Sequence, residues 1–75
     1  MGILDEIADK LARETIAVAE KTGDENLIAE VSKVIGTSST TTQEAFMTAI
    51  RVRLSEKRAR KFLQEKLAKG PINPD

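Results

Sequence analysis

Neither cysteine nor histidine occurs among the 75 residues. Without thiols no disulfide can staple a small fold, and without either residue the usual zinc sites are excluded. Tyrosine and tryptophan are also missing, and phenylalanine occurs twice. Losing His, Cys and Tyr together removes the commonest general acid–base groups and the most reactive nucleophile. The Ser, Thr, Lys and carboxylate residues that remain match no catalytic spacing, phosphate-binding glycine loop or calcium loop. The sequence therefore predicts neither enzyme chemistry nor a cofactor or metal. No run approaches the ~20 apolar residues of a membrane span. The N-terminus has neither the basic start nor the apolar stretch of a signal peptide, and Glu6 stands where a myristoylation pattern wants Ser or Thr. A cytoplasmic protein with no membrane partner is the expectation.

Large apolar side chains are scarce too. Hydrophobic residues make up 40% of the chain, but alanine accounts for nine of them, leaving 21 Ile, Leu, Val, Met and Phe. Such a core is marginal for a lone domain of this length, so self-association or a partner is the remaining source of stability. Helix formers, in contrast, are plentiful. Net charge is zero, yet unevenly placed. Residues 1–36 carry eight acids and four bases, while residues 51–69 carry eight bases and two acids.

The pattern predicts an all-α fold of three helices in one domain, residues 1–70, with a disordered proline-containing tail over 71–75. The first helix spans Ile3 to Thr22, with an apolar stripe of Leu4, Ile7, Ala8, Leu11, Thr15 and Val18. Asp5, Glu6 and Asp9 suit its positive N-terminal end. Asp5 and Asp9 share a face, but dipole complementarity explains them better than a divalent-ion site. Gly23 closes this helix and Asp24 caps the next, which spans Glu25 to Ile35 with a stripe of Leu27, Ile28, Val31, Val34 and Ile35. Gly36 is expected to end it as Gly23 ends the first. The short junction makes these two an antiparallel hairpin. After a polar loop, Thr41 and Glu44 form a capping-box pattern for a long third helix, Thr42 to Lys69, stopped by Gly70-Pro71.

The third helix changes character along its length. Phe46, Ala49, Ile50 and Leu54 share one face and form the stripe that meets the hairpin. The same face then continues as a basic strip, Arg53, Lys57, Arg60 and Lys61. Four cations cannot lie on an apolar hairpin uncompensated. The apolar residues of the second half, Val52, Ala59, Leu63 and Leu67 with Phe62 on their flank, line up about 120° away. Either the helix curves to bury both stripes, or its second half projects and meets another chain. The second arrangement makes Val52, Ala59, Phe62, Leu63 and Leu67 a partner-binding set.

Two functions compete on these residues. The first is a protein–protein interaction module, of adaptor, co-chaperone-like or regulatory kind, that binds a partner or a second copy of itself through the third helix. The second is nucleic-acid binding through the basic segment 51–61, which holds six cations and one acid. Ser32 and Gly36 echo a helix-turn-helix, but Thr37 and Thr42 occupy places that should be apolar, and the loop is too long. No aromatic is placed for base stacking. Bases near a helix C-terminus also suit the macrodipole, and they can pair with the acidic first helix. The interaction module is the preferred expectation.

Overall fold

The computed structural model describes residues 2–70. It is all-helical, with α1 (Ile3–Thr22), α2 (Leu27–Gly36) and α3 (Thr40–Ala68) in chain order. The helical hairpin followed by a long third helix is thus present, and there is no strand among the described residues. Asp9 pairs with Arg53 and Glu20 with Lys57. Sequence numbers rise together across both pairs, so α1 and α3 run in the same sense. α3 packs most extensively along α1, and less on α2. The radius of gyration is 16.0 Å, well above the about 11 Å of a compact domain this long. The elongation comes from α3.

Two small residues explain how α3 seats. Ala8 and Ala12 of α1 are buried against Phe46 and Ile50 of α3, and the short side chains let the helices approach closely. Phe46 is the largest wholly buried side chain among the described residues. Around it pack the half-buried Leu11, Ile16, Ile28, Val31, Met47 and Leu54. Thr15 is also buried. The stripes expected for the hairpin are therefore rotated in part: Ile7, Val18 and Val34 lie exposed. A 10-residue α2 touches the core with one narrow edge, and none of its residues is fully buried.

The helix ends refine the expected boundaries. Gly23 has φ 73° and its N–H donates to the Ala19 carbonyl at 2.8 Å, the left-handed closure foreseen for α1. Asp24 does not cap α2. Its Oδ1 accepts the Asn26 N–H at 2.9 Å, forming a turn, and the helix begins later, at Leu27. Gly36 is the last helical residue of α2 rather than a left-handed terminator. A Cβ there would lie 2.5 Å from Gln43 Nε2, so a larger residue would displace that amide. That amide crosses Gly36 to donate to the Ser32 carbonyl at 2.9 Å, tying α3 to α2. The cap of α3 is Ser39, not Thr41. Its Oγ accepts the Thr42 N–H at 3.0 Å, which starts the helix at Thr40. Gly70, at φ 79°, follows the other end. The tail expected over 71–75 lies outside the described residues.

Because so much of the core converges on one ring, Phe46→Ala should cost about 3–5 kcal/mol. Urea denaturation followed by circular dichroism would show this as a large fall in the midpoint, and a loss below about 1 kcal/mol would contradict the packing described.

Candidate interaction surface on helix 3

α3 is one unbroken helix, so its faces continue past the point where its neighbours end. From Ser55 to Lys69 every residue is exposed. The expected partner-binding residues stand on this uncovered length or at its edge. Val52 is 62% exposed, Phe62 57%, Leu63 64% and Leu67 81%, and Ala59 is exposed with them. Leu63 and Leu67 are one turn apart, and Val52 and Ala59 are two turns apart on the same side. The Lys66 ammonium sits 5.7 Å from the centre of the Phe62 ring, a cation–π arrangement.

The basic strip divides by position. Arg53 Nε and Nη2 donate to Asp9 Oδ1 and Oδ2, each at 2.6 Å, a bidentate fork between α1 and α3. One turn on, Lys57 pairs with Glu20 of α1. Arg60 is held by Glu56 of its own helix, Nη2 to Oε2 at 2.9 Å. Lys61 has no ion-pair partner among the described residues, and neither do Arg51, Arg58, Lys66 and Lys69. The same is true of Asp5, Glu6, Glu14, Asp24, Glu25 and Glu30 on the acidic side. Compensation for the cations thus comes from α1, through two acids eleven residues apart, about three turns on one face. That interval was present in the sequence as a signal, but Asp9 reads there as a helix-dipole residue, and Glu20 attracts no notice.

Where α1 stops and α3 continues, an open groove of about 680 Å³ separates them. Ile16 and Ala17 form one wall, and the stems of Arg60 and Lys61 with Gln64 form the other. Its charged lining mixes Glu20 and Glu56 with Arg13, Arg53, Lys57, Arg60 and Lys61. Among the described residues no group of three or more His, Cys, Asp or Glu side chains could hold a metal ion, and no helix is long and apolar enough to cross a membrane.

The fork also shifts ionisation. The Arg53 hydrogen bonds hold the Asp9 carboxyl below its ordinary value of 3.8, with partial desolvation opposing them and the charges of Arg53 and Arg13 adding to them. The same hydrogen bonds raise the Arg53 guanidinium above its ordinary value, with partial desolvation opposing them. A depressed carboxylate contributes its stability above 3.8 and loses it as pH falls through the folded-state value. Asp9→Asn should therefore unfold at lower urea than the unmodified chain near neutral pH. The gap should close well below 3.8, and a gap of equal size in strong acid would contradict the assignment.

Among known proteins, no family model, no curated sequence and no solved structure matches this chain.

Proposed function

We propose that the chain is a small helical interaction module, an adaptor, co-chaperone-like or regulatory subunit, which binds a protein partner or a second copy of itself through the second half of α3. The observation that carries this reading is the unbroken exposure from Ser55 to Lys69, with Phe62, Leu63 and Leu67 in the open. An isolated helix end has no packing reason to keep large apolar residues, and burying each would gain roughly 1.5–3 kcal/mol. Association costs of roughly 4–15 kcal/mol mean that no one of them suffices. The stripe acts as a set, with free cations beside it to orient what binds.

The competing reading, a nucleic-acid regulator working through residues 51–61, is weakened by the same geometry. Of its six cations, Arg53, Lys57 and Arg60 already face carboxylates. Only Arg51, Arg58 and Lys61 remain to neutralise phosphates. Binding through those three would show a log–log salt slope of about −2.7, whereas all six would give about −5.4. Anisotropy titration of a labelled duplex at several salt concentrations should return the shallow slope or no binding. The steep one would favour the nucleic-acid reading.

A direct test places a photo-crosslinking amino acid at Leu63, at Leu67 and, as an exposed control, at Thr41 in the living cell. Crosslinked protein species should arise from the first two positions and not from the third. Equal yields at all three, or none at any, would remove the basis of the interaction module.

A further inference from the structure

The exposed half of α3 carries a narrow apolar seam bordered by cations, and we infer that its occupant is an acidic amphipathic helix of another protein. This deepens the interaction-module reading and rests on it. The first support is the seam. Val52, Glu56, Ala59, Leu63 and Leu67 follow one another at intervals of four, three, four and four residues. At ~100° per residue they fall within about 80° of the helix circumference. That is the narrow strip by which one helix packs along another. A helix lying on it from Val52 to Leu67 would cover about 22 Å, or four turns. Glu56 is the one charged member, and its Oε2 is held by Arg60 Nη2 at 2.9 Å. A single polar residue in a seam is how paired helices fix their register, whereas an acid there is ill suited to a lipid surface of negative charge.

The second support is charge, which names the occupant. The fork to Asp9 marks the Arg53 side of α3 as the side that faces α1. Arg60 borders the seam on that side, and Arg13 of α1 lines the same groove as Arg60. Lys66 borders the seam on the other side, turned away from α1. Arg51, Arg58 and Lys69 follow next round the helix, with Phe62 among them. Lys66 and these three are exposed and have no ion-pair partner among the described residues. Glu65, the other acid within residues 55–69, points about 160° away from the seam. Cations thus stand on both sides of the apolar strip. A helix that lays its own apolar side there is favoured by acids along both of its edges.

A second copy of the chain meets this face badly. Two seams laid antiparallel about a two-fold axis set the outer cations of one copy against the same cations of the other. Laid parallel, they place the two basic ends side by side. Like charges oppose each other in either sense, whereas an acidic partner turns the same field into attraction.

Fluorescence anisotropy of a labelled synthetic helix tests this on the full chain. The probe has about three heptads, with Leu at a and d and Glu at e and g, so that repulsion keeps it from pairing with itself. Its twin has Lys at e and g. The Glu peptide should bind, and the Lys peptide should bind at least about tenfold more weakly. Leu63→Asp with Leu67→Asp should abolish binding with the helical circular dichroism kept. Arg58→Glu with Lys66→Glu should raise the Kd of the Glu peptide about tenfold and lower that of the Lys peptide. Lys21→Glu with Lys33→Glu makes the same charge change on exposed positions of α1 and α2, and should leave both affinities within about twofold. No binding of the Glu peptide up to about 100 μM, or equal binding of the two peptides, overturns the proposal. Recruitment of the chain to phosphatidylserine vesicles, with the Glu peptide left unbound, would assign the seam to lipid instead. A doubling of the 8.2 kDa mass in light scattering, removed by Leu63→Asp, would assign it to a second copy. Photo-crosslinks from Leu63 and Leu67 without peptide binding would overturn the acidic occupant alone and leave the interaction module standing.

Discussion

Helix length is the constraint from which the rest follows. α3 has 29 residues, α1 has 20 and α2 has 10, which correspond to rods of about 44, 30 and 15 Å. Two short rods cannot sheath a long one. The overlap is spent on the half of α3 that holds Phe46 and Ile50, where alanines on α1 permit close contact. Beyond Leu54 α1 meets α3 through the Lys57–Glu20 pair and then ends, and Phe62, Leu63 and Leu67 are left exposed. No break or bend returns that segment to the core, because the helix runs uninterrupted to Ala68.

Electrostatics works on the same boundary. As the apolar overlap thins out, contact between α1 and α3 passes from side-chain packing to ion pairing, with Asp9 and Glu20 receiving Arg53 and Lys57. The bidentate fork adds directional restraint beside the packed residues Ala8, Ala12 and Ile50. Both pairs are partly exposed to solvent, so they fix the relative rotation of the two helices more than they stabilise the fold. That rotation sets the apolar stripe beside α1 and leaves it open.

Much of this was legible in the sequence. Heptad-like spacing, Gly23 and the Gly70-Pro71 stop mark three helices of close to the observed lengths, and the rotation of the apolar stripe within α3 is visible from residue numbers alone. What escaped was whatever depends on a neighbour. Gly36 reads as a terminator by local rules, yet it is helical and the Gln43 amide lies across it. Ser39 outcompetes Thr41 as a cap in a run of similar hydroxyl residues that pattern cannot rank. Ala12 is wholly buried and Val34 mostly exposed, the reverse of their hydrophobic size, because the close approach of α3 selects small side chains on α1. The stripe was legible as a surplus of apolar residues on the second half of α3, and its exposure only once the lengths of the three helices could be set side by side.

The central claim is that α3 is one continuous helix carrying its second apolar face beyond the core. Its most direct test is a pulsed electron-resonance distance between spin labels at Thr41 and Lys66, diluted with unlabelled chain so that only intramolecular pairs are read. A single continuous helix predicts one narrow distribution near 38 Å, from about 1.5 Å per residue. A distinctly shorter distance, as from a segment folded back onto α1, would contradict the account.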